Sequence, residues 1–83
     1  MLLLTVLLSC TIPVEQRAAC ASFVTCVSAR DARDGTTTDV ARYVPSGDCW
    51  GGDAIADLCE RSCQAGLSFL AEREPDLGEA CAP

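Results

Sequence analysis

Apolar residues recur at helical spacing in two stretches of the chain. The first stretch covers residues 14–30, and its apolar stripe consists of Cys20, Phe23, Val24 and Val27. Spacings of three and four residues place these side chains on one face of an α-helix. The pattern therefore predicts a first amphipathic helix, which Pro13 is well placed to start.

The second stretch begins at Asp53, after two glycines, and ends before Pro75, whose ring excludes the preceding residue from helical geometry. Its main stripe consists of Ile55, Cys59, Cys63, Leu67 and Leu70. A second stripe of Leu58, Ala65 and Phe69 is predicted to widen the same apolar face. The pattern predicts a second amphipathic helix that is longer than the first.

Residues 31–48 are polar and carry the turn signals Asp34-Gly35 and Ser46-Gly47-Asp48, with Pro45 between them. We expect a loop here, with room for one short helical turn over residues 39–44. Residues 75–83 form a tail that Cys81 is expected to pin. The predicted fold class is all-α, a small disulfide-braced helical hairpin with a long polar loop.

Seven cysteines in 83 residues change this picture, because two helices bury too little surface to fold without staples. A metal site is disfavoured: the Cys59/Cys63 spacing is compatible with zinc, but the Cys20/Cys26 spacing is not, and the chain has no histidine. In a secreted chain this density indicates disulfides instead. The predicted disulfide cysteines are Cys20, Cys26, Cys49, Cys59, Cys63 and Cys81.

The pairing of these six cysteines depends on how the helices run. In an antiparallel hairpin, early cysteines of the first helix meet late ones of the second, which favours Cys20–Cys81, Cys26–Cys63 and Cys49–Cys59. The main rival is Cys20–Cys63, Cys26–Cys59 and Cys49–Cys81. The first pairing is preferred because it spares the tail a long return to the start of the second helix.

The first nine residues are almost wholly apolar and carry no charge, and they are far shorter than the roughly 20 residues that a membrane-spanning helix needs. They match the hydrophobic region of a signal peptide. The next position completes Leu7-Leu8-Ser9-Cys10, which resembles the lipobox of bacterial lipoprotein precursors. The resemblance implies a diacylglycerol on the Cys10 thiol and cleavage between Ser9 and Cys10.

We therefore expect a signal peptide over residues 1–9, a lipidated tether over 10–13 and a disulfide-rich helical domain over 14–83. Cysteine parity agrees, since setting Cys10 aside leaves an even number. No lysine or arginine precedes Leu2, so either the natural start lies upstream or the signal is weak. Two other interpretations stay open: a cleaved secretory peptide with an incidental cysteine, and an apolar core element.

The later cysteines form the pattern C-x5-C, G-x-C-W and C-x3-C, carried by Cys20/Cys26, residues 47–50 and Cys59/Cys63. The pattern is loose but covers most of the domain, and it resembles short cysteine-rich lipoproteins of GC-rich Gram-negative bacteria. That group has no assigned activity. In such relatives, a residue such as Thr11 after the lipidated cysteine implies sorting to the outer membrane. We therefore expect the chain to bind the membrane through Cys10, and an envelope protein is a second candidate partner.

Charge and residue types exclude several functions. The net charge is -6, with 12 acidic residues against 6 arginines, so the chain is unsuited to nucleic acid. The absence of histidine excludes Ser-His-Asp and Cys-His catalysis, and no C-x2-C redox pair exists. Asp53, Asp57 and Glu60 could do acid–base chemistry, but such a run is more typical of a solvated helix face. We expect no enzyme activity, no cofactor and no metal.

One aromatic residue invites a recognition role. Trp50, the only tryptophan, lies beside Cys49 and two glycines. It either packs against a disulfide in a small core or is an exposed recognition aromatic, with Tyr43 beside it. The sequence is therefore compatible with two functions: a lipid-anchored, non-enzymatic envelope module, and a freely secreted cysteine-rich effector such as an inhibitor or toxin.

Overall fold

The computed structural model describes residues 12–82, so the predictions for residues 1–9 and Cys10 lie outside the described part. Within it, helix α1 covers Ala18–Asp34 and helix α2 covers Asp53–Arg73. One 3₁₀ segment, Asp48–Trp50, lies in the loop just before α2, and another, Pro75–Cys81, follows α2. Residues 12–82 contain no strand, and the predicted all-α, disulfide-braced fold with a long polar loop is confirmed.

Helix α1 is displaced along the chain from its predicted range. It starts later because the backbone N–H of Val14 donates to the Trp50 carbonyl at 2.9 Å, which commits this segment to a tertiary contact. It ends later because Gly35, at φ 72°, adopts the left-handed conformation and caps the Asp31 carbonyl. Hydrogen bonds from Thr36 and Thr38 lower the pKa of the Asp31 carboxyl and fix the first turn of the loop.

The two α-helices run in the same direction. Contacts between them join residues that are 43 positions apart, at Arg17–Glu60, Cys20–Cys63 and Phe23–Gly66. At the other end, Arg33 of α1 binds Glu74, just after the end of α2. In a parallel pair of helices, the residue numbers of contacting residues differ by a constant amount. In an antiparallel pair, the two numbers add up to a constant instead. The antiparallel direction assumed for the hairpin is therefore wrong.

The length of the loop between the helices allows them to lie parallel. The 17 residues of α1 span about 25 Å, and a chain as long as residues 35–52 can extend to about 60 Å. The loop can therefore return from the end of α1 to the start of α2. Connections of two to five residues, by contrast, hold two helices antiparallel.

Buried residues form two clusters along the helix pair. The proximal core, near the starts of both helices, consists of Cys20, Cys49, Trp50, Ala56, Cys59 and Cys63. The distal core, near their ends, consists of Cys26, Val27, Leu67, Leu70 and Cys81. The second predicted stripe of α2 does not join either one, because Leu58, Ala65 and Phe69 are exposed.

Three disulfides join the six predicted cysteines, as Cys20–Cys63, Cys26–Cys81 and Cys49–Cys59. The preferred pairing is right for Cys49–Cys59 and wrong for the other two bridges, while the rival is right only for Cys20–Cys63. Parallel helices place Cys63 opposite Cys20. The tail then turns back over α1 and brings Cys81 to Cys26, a pairing that neither prediction contained.

Candidate functional site

Trp50 is a core residue, with 3% of its surface exposed. Its indole Nε1 donates to the Val44 carbonyl at 2.9 Å and to the Tyr43 carbonyl at 3.3 Å. The ring shares the proximal core with two disulfides. These contacts agree with the packing interpretation, and Trp50 is not the exposed recognition aromatic of the other interpretation.

Tyr43 is half-buried and closes the same core from the loop side. Its ring packs edge-to-face on Phe23, with centroids 5.4 Å apart at 77°. The Arg42 guanidinium lies 5.9 Å from the Tyr43 ring centroid, and the Tyr43 carbonyl accepts a hydrogen bond from the Gln16 amide at 2.8 Å. Tyr43 therefore fixes the loop to α1 and keeps one side at the surface.

The acidic residues at the start of α2 are engaged by one arginine. Arg17 lies 3.0 Å from the Asp57 carboxylate, 2.9 Å from Glu60 and 3.8 Å from Asp53. The hydrogen bond with Asp57 is the largest cause that raises the pKa of Arg17. The three carboxylates considered for acid–base chemistry thus join the starts of α1 and α2.

A second arginine has the same role at the other end. Arg33 lies 2.7 Å from each of Asp34, Glu74 and Asp76, which ties the end of α1 to the end of α2 and to the tail. The hydrogen bond with Asp34 is the largest cause that raises the pKa of Arg33. The same arginine lowers the pKa of Asp34 and of Asp76 by hydrogen bonding.

The outer face of α2, defined here by Leu58, Ser62, Ala65 and Phe69, is the most apolar exposed surface of this helix. Leu58 is 57% exposed and Phe69 is 54% exposed. The Arg73 guanidinium lies 4.9 Å from the Phe69 ring centroid. Sequence reasoning placed Leu58 and Phe69 in the core, and their spacing alone could not show that α1 covers only the opposite side.

A shallow hollow borders each end of this face. Tyr43, Ile55 and Leu58 line one hollow of about 160 Å³. Phe23, Gly66 and Phe69 line another of about 250 Å³ at the junction of α1 and α2. The outer face of α2 is therefore continuous with apolar side chains that reach the surface from the loop and from α1.

No group of three or more metal-ligating side chains is placed to hold an ion in residues 12–82. In the same range, neither α1 nor α2 has the length and apolar character that crossing a membrane requires. No protein-family description matches the chain, and no curated protein or solved structure shows significant similarity to it.

Proposed function

We propose that this chain is a lipid-anchored protein of the bacterial cell envelope that acts as a non-enzymatic interaction or structural module. The lipobox-like sequence Leu7-Leu8-Ser9-Cys10 carries the proposal. Its chemistry is specific, because only a thiol can form the thioether to diacylglycerol and a small residue at Ser9 gives a peptidase access to the bond.

The disulfides support the proposal in two ways. They pair all six cysteines of residues 12–82 with one another, so none of these six is left as a partner for Cys10. Disulfides also form and persist in oxidising compartments such as the bacterial periplasm. An exported chain with one cysteine set apart for lipid accounts for both features.

The anchor would come from several acyl chains on Cys10. Each buried methylene contributes about 0.8 kcal/mol, so a single chain binds a membrane only reversibly, whereas two or three hold a protein stably. Thr11 next to the lipidated cysteine favours the outer membrane as destination.

A non-enzymatic role is supported by the state of the acidic residues. The carboxylates of Asp53, Asp57 and Glu60 are all ion-paired with Arg17. Of the three large apolar side chains that are exposed in residues 12–82, Leu58 and Phe69 lie on the outer face of α2. A domain with ion-paired acids and an apolar face suits contact with another surface.

Mass analysis of the N-terminus tests the anchor directly. We expect the protein isolated from a bacterial envelope to start at Cys10 and to carry acyl chains there, and cells given labelled palmitate should incorporate it. Cys10→Ala is the matched control and should abolish labelling. Cleavage that leaves Cys10 unmodified would contradict the proposal and favour the freely secreted effector.

A further inference from the structure

We propose that the outer face of α2 rests on the surface of a phospholipid bilayer when Cys10 holds the domain there. This inference depends on the lipid anchor of the proposed function. It adds an orientation, in which α2 lies along the membrane and α1 faces away from it.

Exposed large apolar side chains provide the first argument. In residues 12–82, the large apolar side chains that are most exposed are Ile12, Leu58 and Phe69. Leu58 and Phe69 are eleven residues apart, three helical turns, so they share one face of α2 and lie about 16 Å apart along its axis. A face with apolar residues at both ends can lie flat on a membrane, as interfacial helices do.

The length of the tether provides the second argument. The hydrogen bond from Val14 to the Trp50 carbonyl fixes the chain at the proximal core. Only residues 11–13 separate Val14 from Cys10, so the lipidated residue would lie within about 14 Å of this point. Ile12 within that tether is 69% exposed. A lipid on Cys10 would therefore hold the proximal end of the domain at the bilayer.

The proximal end also carries one end of the apolar face. Leu58 and Tyr43 line the same surface hollow, and the Tyr43 carbonyl binds Gln16, two residues after Val14. The tether and Leu58 are thus joined through Tyr43. With the domain held at this point, α2 can place Phe69 on the membrane by a tilt alone.

The charge distribution provides the third argument. Arg42 and Arg73 stack on Tyr43 and Phe69, and Arg61 lies one helical turn from Leu58. Arginine can keep its charge at the headgroups while its stem lies along apolar surface. Six carboxylates are ion-paired with Arg17 or Arg33 instead. Helical spacing places one acidic residue, Glu72, at the edge of the outer face of α2.

The lipid anchor allows this face to bind a bilayer in spite of the charge of the chain. The net charge of -6 opposes association with anionic lipid from solution, so the face alone would bind weakly. The anchor removes that barrier, because a tethered surface binds intramolecularly at high effective concentration.

Tryptophan reporters can test this orientation. Wild-type protein supplies the baseline, since its single tryptophan is buried. Leu58→Trp and Phe69→Trp place a reporter on the proposed face, and Ala32→Trp places one on an exposed position of α1. Each protein is attached to vesicles of phosphatidylcholine and phosphatidylglycerol, with and without brominated acyl chains. Where mass analysis finds Cys10 unmodified, its thiol is coupled to a maleimide phospholipid, so that the orientation is tested separately from the natural anchor.

We expect bromine to quench Leu58→Trp and Phe69→Trp severalfold more strongly than Ala32→Trp, with wild type unchanged. The two face reporters should also shift to shorter wavelength on anchoring. Equal quenching of all three reporters, or none, would overturn the proposal. A blue shift of Phe69→Trp that depends on protein concentration without vesicles would overturn it too, because it would assign the face to a second copy.

Discussion

The two ends of the helix pair differ in how they are closed. At the proximal end, two disulfides, Cys20–Cys63 and Cys49–Cys59, enclose Trp50, and the loop packs over it. The distal end has one disulfide, Cys26–Cys81, and it is closed by the tail. Each end also has one arginine that binds three carboxylates.

The two ends thus have similar ion pairs at the surface but different cores. Exposed ion pairs contribute little to stability, so they do not decide which end is stronger. The proximal end relies on a large buried aromatic residue inside two covalent bridges. The distal end relies on a single bridge that holds the tail, and we expect its tail to detach when that bridge is lost.

The largest effect is expected from Trp50→Ala. The substitution removes the largest side chain of the proximal core and leaves the Val44 carbonyl without its indole partner. Large-to-small changes of this kind cost up to about 5 kcal/mol. Denaturant unfolding with intact disulfides measures the loss. Trp50→Phe, which keeps an aromatic ring, should lose clearly less, and equal losses would show that the ring is not the main contribution.

Removing the distal bridge comes next. Cys26–Cys81 encloses 55 positions and Cys49–Cys59 encloses 10, which corresponds to about 4 and about 3 kcal/mol of loop entropy. The double variant Cys26→Ala/Cys81→Ala should also expose the tail, so cleavage after Arg73 by trypsin should accelerate. The matched variant Cys49→Ala/Cys59→Ala should leave that cleavage slow. Equal acceleration in both would contradict the separation of the two ends.

A smaller effect is expected at Gly47, in the loop that covers the proximal core. A Cβ here would overlap the backbone carbonyl of Arg42, which cannot rotate away as a side chain could. Gly47→Ala should therefore cost about 2 kcal/mol, the middle of the range for overpacking. Gly51→Ala is the control, since its Cβ would meet its nearest atom at an ordinary 3.6 Å. Thermal unfolding should separate the two variants.

The smallest effect concerns acid. Because Arg33 lowers the pKa of Asp34 and of Asp76 in the folded protein, both carboxylates stabilise it above their unfolded pKa near 4. That stabilisation is lost as pH falls through the lowered values. The melting temperature should drop as pH falls below about 4, and Arg33→Gln should flatten the drop. Arg73→Gln removes a charge at the same end, and an equal flattening there would rule out the ion pairs as the cause.

The sequence allowed α2 to be predicted within two residues and all six bridging cysteines to be identified. The bounds of α2 follow from the spacing of nearby hydrophobic residues, and the bridging cysteines follow from the number of cysteines in a short chain. The direction of the helices is a tertiary property, and the length of the loop over residues 35–52 was the available signal against an antiparallel pair. The same error assigned the wrong partners to Cys20 and Cys26.

The exposed face of α2 was missed for a related reason. Leu58 and Phe69 lie at helical spacing, so they were predicted to widen the core. Whether a stripe is buried depends on how many elements surround the helix, and here α1, the loop and the tail cover only one side. Burial of Trp50, in contrast, follows from its place beside Cys49 and was among the interpretations that the sequence supported.

Disulfide mapping tests the parallel register most directly. The arginines divide the chain so that trypsin separates residues 18–30, 43–61, 62–73 and 74–83, and a second cut after Phe23 separates Cys20 from Cys26. We predict that Cys20 links to residues 62–73, that Cys26 links to residues 74–83, and that residues 43–61 carry an internal bridge. A link from Cys20 to residues 74–83 would instead show an antiparallel pair and contradict the account.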